Sequence, residues 1–323
     1  YPNGGFVLSG FANPGKICKA LKVEAGKGGG DFVLVLDKNG QADWADIVSY
    51  GAQSCCSYLS DMCKAAVAPD GTVYLGGTYY EGGTFGGSKK IVSPTSPEDN
   101  QYNKPYEAYI ACYSARGKLN WVKTSVQKAL FHSIAANNSG VIAAVGLVGQ
   151  NHLFNETVDP SRGRTLILTA YNPKGNQLWY TSTNADRIHA ISYDNQSNIY
   201  ILGTMNEVGR ARKYGQIGII GSDSLQRRTD LFIARFNNKG KYQWVKEAEL
   251  PITTSNEPIL FNMDHCGNLF VSGTIFFSFK AQLSMFDKAF VKGQVYGPAP
   301  FVSRFKNTLP VINTTNPKSD SIK

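Results

Sequence analysis

DFVLVLDKNGQADW, at residues 31–44, decides the fold, because the same pattern occurs four times along the chain. In each copy a β-rich stretch runs into a turn that contains glycine, and a tryptophan stands four residues after that glycine. The other copies are EAYIACYSARGKLNW (107–121), TLILTAYNPKGNQLW (165–179) and DLFIARFNNKGKYQW (230–244). All four tryptophans of the 323-residue chain occupy this one position: Trp44, Trp121, Trp179 and Trp244. Self-similarity of this kind indicates a repeat architecture.

A second pattern precedes the first in each repeat. It is an apolar stretch, a turn rich in Asp, Asn and Gly, and a β-rich stretch that ends in glycine, which is typical of a hairpin. The full copies are AVAPDGTVYLGGT (66–78), AANNSGVIAAVG (135–146), SYDNQSNIYILGT (192–204) and FNMDHCGNLFVSGT (261–274). No window has a sustained period of 3.6 residues, so almost no helix is expected. The ordinary composition, 42% hydrophobic and 18% charged, excludes disorder, collagen and coiled coil.

Two hairpins per repeat make a four-stranded antiparallel unit, whose strands we name a, b, c and d. Such units stack radially as the blades of a β-propeller, because one blade cannot bury both of its faces alone. The repeated tryptophan is then expected to be a packing anchor between blades. The sequence therefore predicts an all-β fold with one propeller domain over residues 1–313 and a polar tail over 314–323. The five units are expected at about 1–48, 49–125, 126–183, 184–248 and 249–313.

The two end units are imperfect. The first lacks strand a, and the last has Asn313 where a tryptophan is expected. Either the C-terminal stretch completes the first blade and closes a five-bladed ring, or residues upstream of Tyr1 belong to a larger ring. The chain opens at Tyr1 with neither an initiator methionine nor an apolar signal segment, which favours a processed chain or a fragment.

The repeats resemble the bacterial β-propeller repeat family known as SBBP. Its units read D-x-F-V-x-x-x-D-x-x-G-x-x-x-W and A-x-D-x-x-G-x-V-Y-V-x-G-x-T, which residues 31–44 and 66–78 match closely. The resemblance covers most of the chain outside the loops. It implies a secreted or surface propeller, often without enzymatic activity, and similar repeats in proteins of large DNA viruses make a virus particle a second expected location.

The net charge of +9 is concentrated on the predicted b–c loops. These loops, at about 11–30, 79–106, 149–164, 205–229 and 275–298, carry 17 Lys and Arg against 9 Asp and Glu, and share one end of the fold with the d–a connections. A basic loop face suits an acidic protein or an acidic glycan, although such charge can also serve solubility alone. Nucleic acid is disfavoured, because the basic residues do not alternate with exposed aromatic ones. The candidate basic residues are Lys16, Lys19, Lys22, Lys27, Arg210, Arg212, Lys213, Arg227 and Arg228.

The same loops carry aromatic residues that could form a protein-contact or sugar-stacking surface. The alternative is that these side chains pack against the blades. The candidates are Tyr79, Tyr80, Phe85, Phe276, Phe277 and Phe279.

Catalytic motifs are absent from the sequence. The acids in the strand-a copies, Asp70, Asp194 and Asp264, are explained as turn residues. We therefore expect a non-enzymatic binding module with no cofactor and no metal. The alternative is a carbohydrate-active enzyme or lectin whose carboxylates come from the b–c loops, as a carboxylate pair is what glycoside hydrolysis needs. Its candidates are Glu81, Glu156 and Glu207.

One strand-a position carries a histidine twice. His132 and His189 are equivalent in adjacent units, and Cys63 takes the same position in a third. Neighbouring His and Cys side chains can hold a transition metal. The competing interpretation is that this position favours a small polar or ring side chain at a blade junction.

Cysteines and glycosylation sequons bear on the compartment. Cys63 closes a loop that contains Cys55 and Cys56, so a local disulfide is a hypothesis, with buried free thiols as its alternative. The longest apolar run is far shorter than the ~20 residues of a membrane helix, so membrane insertion is not expected. The expected location is extracellular, on a cell surface or on a virus particle. Sequons stand at Asn137, Asn155, Asn195 and Asn313.

Overall fold

A computed structural model gives the structure of the chain. It describes residues 2, 4–13, 15–18, 21, 23–25, 29–50, 63–80, 83–87, 89–91, 106–125, 129–147, 152–153, 156–157, 165–183, 185, 187–204, 218–220, 223–225, 231–248, 260–264, 268–277, 281–285, 288–293 and 297–305. These residues form β-strands and turns and contain no helix, so the predicted all-β class is confirmed for this part of the chain. Accordingly, they include no apolar helix of membrane-spanning length.

The strands follow one another in five groups along the chain. The first group is β1 (Phe6–Ala12), β2 (Gly15–Cys18), β3 (Val23–Ala25), β4 (Gly30–Leu36) and β5 (Ala42–Tyr50). The second is β6 (Lys64–Val67), β7 (Val73–Tyr80), β8 (Gly83–Phe85), β9 (Lys89–Ile91), β10 (Tyr106–Tyr113) and β11 (Leu119–Thr124). The third is β12 (Ala129–Asn137), β13 (Gly140–Leu147), β14 (His152–Leu153), β15 (Glu156–Thr157), β16 (Thr165–Tyr171) and β17 (Gln177–Thr183).

The last two groups repeat this order. The fourth is β18 (Arg187–Tyr193), β19 (Ile199–Thr204), β20 (Gly218–Ile220), β21 (Asp223–Leu225), β22 (Leu231–Phe236) and β23 (Tyr242–Ala248). The fifth is β24 (Leu260–Met263), β25 (Leu269–Phe277), β26 (Ala281–Met285), β27 (Lys288–Gly293) and β28 (Gly297–Phe305).

The main strands of each group build one antiparallel sheet, in which strands that are consecutive in the a, b, c, d order pair with each other. Sheets 2, 3 and 4 have the order β6-β7-β10-β11, β12-β13-β16-β17 and β18-β19-β22-β23, which are the predicted strands a, b, c and d. Sheet 1 has the order β1-β4-β5-β8-β9, in which β1 takes the position of strand b and the last two strands come from the second group. The described part of sheet 5 is β24-β25-β28. The four-stranded repeat predicted from the sequence is therefore confirmed in the three central units.

The c–d turns explain why the glycine of the repeat is needed. In each described turn the glycine has a positive φ, between 73° and 82°, and its N–H donates to the carbonyl of the residue three positions earlier. That earlier residue also accepts two backbone N–H bonds with its side chain, as Asp37 does from Asn39 and Gln41 at 2.8 Å each. A type I turn that ends in a left-handed residue is the usual three-residue hairpin connection. The conformation of each c–d turn thus follows from hydrogen bonds and a left-handed glycine within the turn itself.

Apolar layers fill the spaces between consecutive sheets. One layer joins Val33 and Val35 of sheet 1 to Leu75 of sheet 2, and a second joins Tyr74 of sheet 2 to Phe131 of sheet 3. A third layer joins sheets 3 and 4. Tyr74 and Leu75 point into different layers because successive side chains of a strand alternate between the two faces. Both faces of a central sheet are therefore buried along its middle strands, which explains why strands b and c are largely apolar.

The first strands of consecutive units pack against one another, and we call them the inner strands. Strand β12 packs against β6 and β7 of sheet 2 and against β18 of sheet 4, and β18 in turn packs against β24. In sheet 1, which has no described strand a, β1 packs against β6. The strand-a side chains of different units can therefore meet.

Three of the four tryptophans connect their sheet to the next one. The indole N–H of Trp44 donates to the Ala115 carbonyl at 3.2 Å, and that of Trp121 donates to the Pro173 carbonyl at 2.9 Å. The Trp179 indole donates in the same way to Asn238 at 3.2 Å. In all three cases the acceptor lies two residues before the c–d turn glycine of the following sheet, and the indole ring covers that glycine. The tryptophans thus lie between sheets, where the sequence analysis expects a packing anchor.

Every b–c connection contains a short two-stranded hairpin, a feature that the sequence analysis missed. The hairpins are β2-β3, β8-β9, β14-β15, β20-β21 and β26-β27. Strand β8 also pairs with β5, so the hairpin of unit 2 extends the outer edge of sheet 1. Because a and c run opposite to b and d in a simple meander, all five hairpins emerge from the same end of their sheets as the d–a connections.

Candidate functional site: a buried basic cluster on the inner strands

Two β-bulges present the equivalent histidines. In sheet 3 the register passes from Phe131↔Val145 to Ser133↔Ala144, which leaves His132 without a cross-strand partner. In sheet 4 it passes from Ile188↔Gly203 to Ala190↔Leu202, which leaves out His189. A bulge bends its strand and redirects the side chain of the extra residue. The two units therefore use the same backbone device at the same position.

The environments of the two imidazoles differ. The Nε2 of His189 lies 3.1 Å from the Thr204 hydroxyl, so this ring has a hydrogen-bond partner on its own sheet. His132 is 8% exposed, and its Nδ1 is buried with no partner among the described residues. The Nε2 of His132 lies over Gly146, where a Cβ would come within 2.7 Å of it. Gly146 therefore makes room for the ring.

Lys64 joins the histidines from the opposite side. Its ammonium donates to the backbone carbonyl of His189 at 2.5 Å, although the two residues belong to sheets 2 and 4. Arg187, at the start of the same strand as His189, influences the pKa of Lys64 and of both histidines. We call Lys64, His132, Arg187 and His189 the basic cluster. Its members come from three consecutive sheets and meet only because the inner strands pack together.

The pKa values in the basic cluster are lowered. Burial lowers the pKa of Lys64 to about 8, and the Arg187 guanidinium adds to the effect. Burial also lowers the pKa of His132 and of His189 to about 3, and Arg187 and Lys64 are the next causes for both. Among the described residues, every neighbouring charge that shifts these three pKa values is positive. At neutral pH both imidazoles are therefore neutral, beside an ammonium and a guanidinium.

Two buried carboxylates lie at the neighbouring junction of sheets 1 and 2. Asp31 accepts a hydrogen bond from the Tyr109 hydroxyl at 2.7 Å, which ties β4 to β10. Glu107 accepts one from the Tyr79 hydroxyl at 2.6 Å within sheet 2. Both carboxylates are at most 2% exposed. Their geometry is that of buried hydrogen-bond acceptors that hold strands in place.

Cys63 lies beside Asp31. It is a buried free thiol, whose pKa is raised by burial and then by the charge of Asp31. Because Cys63 is a free thiol, the structure does not support the predicted disulfide. Its proposed partners, Cys55 and Cys56, lie outside the described residues. No set of three or more His, Cys, Asp or Glu side chains in the described ranges is placed to hold a metal ion. Sharing one strand-a position thus does not bring Cys63, His132 and His189 together as a metal site.

The predicted aromatic surface is wrong at two of its positions. Tyr79 and Phe85 are both fully buried, and their rings pack edge to face with centroids 6.3 Å apart. The reason is that β7 continues to Tyr80, so Tyr79 belongs to the sheet, while Phe85 anchors the β8-β9 hairpin against Tyr109. Phe279 and the side chains of Tyr80, Phe276 and Phe277 lie outside the described part of the chain.

The predicted basic loop residues also fall outside the described part. Only the backbone of Lys16, in β2, is described. At the b–c end the exposed cations that the structure describes are Lys89 and Lys90 of β9. The c–d turns at the opposite end carry exposed cations too: Lys38, Arg116, Lys118, Lys174, Lys239 and Lys241. Positive charge therefore occurs at both ends of the sheets, which the sequence analysis did not anticipate.

The remaining candidates are placed as follows. Asn137 is half-buried in the a–b turn of sheet 3, where its side chain accepts the Ser139 N–H, and Asn195 is exposed in the corresponding turn of sheet 4. Asn155, Asn313, Glu81 and Glu207 lie outside the described residues, as does the side chain of Glu156. Glycosylation and a catalytic role of the loop carboxylates stay predictions.

Comparison with known proteins adds little. No protein-family model matches the chain, and no curated protein matches it. Among solved structures, a protein of unknown function from Bacteroides caccae is similar over 69% of this chain and 92% of its own chain, with 9% sequence identity and a TM-score of 0.22. A similarity of this size carries no argument about fold or function.

Proposed function

We propose that the five sheets are the blades of a β-propeller related to the SBBP repeats, and that the protein is a non-enzymatic binding module. In this proposal the b–c end contacts an acidic protein partner, and the module belongs to a cell surface or a virus particle. The observation that carries the proposal is that all five b–c connections contain a hairpin. Loops that project from one end of a scaffold are where such folds usually place binding residues.

The hairpin of unit 2 supports the proposal in most detail. Strand β8 pairs with β5 of the preceding sheet, and the Gly86 N–H donates to the Asp46 carboxylate at 2.9 Å. Within this hairpin, Phe85 is buried, whereas Lys89 and Lys90 are exposed. A surface that is ordered before it binds loses less conformational entropy on binding. The two lysines are thus presented to a partner by a fixed hairpin.

The non-enzymatic part of the proposal rests on what surrounds the inner strands. The basic cluster consists of cationic and imidazole groups, and the buried carboxylates Asp31 and Glu107 each accept a hydrogen bond from a buried tyrosine. The carbohydrate-active alternative depends on Glu81, Glu156 and Glu207, for which the described residues offer no favourable observation.

The experiment is a paired charge reversal. Lys89→Glu with Lys90→Glu alters the b–c end, and Lys174→Glu with Lys239→Glu is the matched control at the c–d end. We expect partner proteins captured from the native source, identified by mass spectrometry, to be lost with the first pair and kept with the second. A partner set that survives the first pair and disappears with the control would overturn the proposed b–c interface. Recovery of glycans alone, with no protein partner, would contradict the acidic-protein partner.

A further inference from the structure

We propose that the c–d turns of sheets 1 to 4 bind an acidic polysaccharide, a linear sugar polymer that carries carboxylate or sulfate groups. We call residues 37–41, 114–118, 172–176 and 237–241 the turn face. In the meander of each sheet, these turns lie at the end opposite the b–c hairpins. The turn face is therefore a different surface from the proposed partner interface.

The four turns of the turn face form a continuous row. The Trp44 ring covers the turn glycine of sheet 2, and the Trp121 and Trp179 rings cover those of sheets 3 and 4. Each of these indole N–H groups also donates to a carbonyl of the turn that its ring covers. The contacts hold consecutive turns at one level and in a fixed order. Because packed sheets lie roughly 10 Å apart, one linear polymer can contact several turns.

The turn face carries exposed positive charge in every turn. Its cations are Lys38, Arg116, Lys118, Lys174, Lys239 and Lys241. The turns and the strands on both sides of them are described throughout, and none of these six side chains forms an ion pair with a described residue. The exposed carboxylates of the described residues at this end are Asp43 in sheet 1 and Asp70 in sheet 2, so the turns of sheets 3 and 4 have none beside them. A positive face on a rigid support attracts a polyanion and raises its local concentration.

The composition of the turns indicates which polyanion fits. Exposed amide side chains stand next to the cations: Asn39, Gln41, Asn176 and Asn238. An amide both donates and accepts hydrogen bonds, which suits the hydroxyl groups of a sugar. The turns contain no aromatic residue on which a nucleic acid base could stack, and no large aliphatic residue that could enter a lipid bilayer. Charge and hydrogen-bonding capacity together therefore favour an acidic polysaccharide.

The test measures the binding of fluorescently labelled polymers by anisotropy at pH 7. Heparin is the sulfated probe, alginate is the carboxylated probe, and dextran is the uncharged reference. We expect saturable binding of an acidic polymer, weakened by added salt because exposed charges are screened, and no binding of dextran. Tighter binding of heparin would indicate a sulfated ligand, and tighter binding of alginate a carboxylated one.

Two charge-neutralising variants locate the binding surface. Lys174→Gln with Lys239→Gln should weaken binding at least about tenfold, because it removes two charge-assisted donors. Lys89→Gln with Lys90→Gln removes the same charge from the b–c hairpin of unit 2 and should bind as the unaltered chain does. All four lysines are exposed, so neither variant is expected to unfold. An equal loss in both variants would mean that net charge alone attracts the polymer, and would overturn the proposal.

Two further results would also overturn the proposal. One is the absence of saturable binding to both acidic polysaccharides. The other is tighter binding of single-stranded DNA or of phosphatidylserine vesicles than of heparin and alginate, which would assign the turn face to another class of partner. The proposed b–c interface is tested on captured proteins with Lys89 and Lys90 altered, so either proposal can fail while the other holds.

Discussion

At the scale of single residues, His132 and His189 make the stability of the fold depend on pH. Both imidazoles have a pKa of about 3 in the folded state, against 6.5 for an exposed histidine. Between these values the unfolded chain binds more protons than the folded one, so the free energy of unfolding falls as the pH falls from 6.5 toward 3. Each histidine can contribute a slope of up to about 1.4 kcal/mol per pH unit.

We therefore predict that His132→Gln and His189→Gln reduce the pH dependence of stability between pH 6.5 and pH 5. In this window most carboxylates are still ionised, so the histidines dominate the slope. Urea unfolding at several pH values measures the effect. The unaltered chain is the reference. Equal slopes in all three proteins would show that the inner histidines are not held neutral.

Residue patterns that act locally could be predicted from the sequence, whereas contacts between sheets could not. The turn glycine and the tryptophan that follows it predict the c–d hairpin, because this turn is formed by residues that are close together in the sequence. The sequence does not reveal that Lys64 and Arg187 lie close together, because they meet only when the sheets pack and nothing in their own strands signals this. It does not reveal the burial of Tyr79 and Phe85 either, because no local signal marks where β7 ends.

At the scale of elements, the tryptophan of one sheet contacts the turn glycine of the next sheet. Comparing two of these glycines separates the contribution of this contact to stability from the cost of backbone strain. Gly40 and Gly117 both have a φ of 78° in equivalent c–d turns. A Cβ at Gly117 would come within 2.7 Å of the Trp44 ring, whereas nothing lies within 4 Å of one at Gly40. The tryptophan that contacts a turn glycine comes from the preceding sheet, and sheet 1 is the first of the described sheets. Gly117 therefore faces Trp44, whereas Gly40 faces open space.

We predict that Gly40→Ala lowers the free energy of unfolding by about 1–2 kcal/mol, the cost of a left-handed alanine. Gly117→Ala should lower it by about 1–3 kcal/mol more, because the methyl group also displaces the indole. Denaturant unfolding measures both. In Gly117→Ala with Trp44→Ala, the additional loss should shrink, since the displaced ring is no longer there. Equal losses in the two single variants would contradict the contact between sheets.

The hairpins of the b–c connections show the limit of prediction at this scale. Strand β14 spans only His152–Leu153 and its partner only Glu156–Thr157, too short for any periodicity to appear. In unit 2 the hairpin is stabilised by a neighbouring sheet, because β8 pairs with β5. Their presence in all five units is visible only once the sheets are formed.

At the scale of the whole molecule, the question is whether the proposed ring closes with five blades. The c–d turns provide equivalent exposed markers, because the same turn position is held by Asn39, Arg116, Lys174 and Lys239 in sheets 1 to 4. In each, the backbone N–H donates to the side chain of the residue two positions earlier. Distances among these positions therefore report on the arrangement of the sheets.

In a regular five-bladed ring, sheet 1 lies as far from sheet 4 as from sheet 3, because sheet 4 is reached equally well through sheet 5. In any larger ring or open stack, sheet 4 is farther away. We predict equal distances from Asn39 to Lys174 and from Asn39 to Lys239, measured by pulsed electron paramagnetic resonance. The spin labels are introduced through an unnatural amino acid, so that the six native cysteines stay as they are. The Asn39 to Arg116 pair, between adjacent sheets, is the internal reference and should be shorter. A longer distance to Lys239 than to Lys174 would contradict closure with five blades and would mean a larger ring or an open stack.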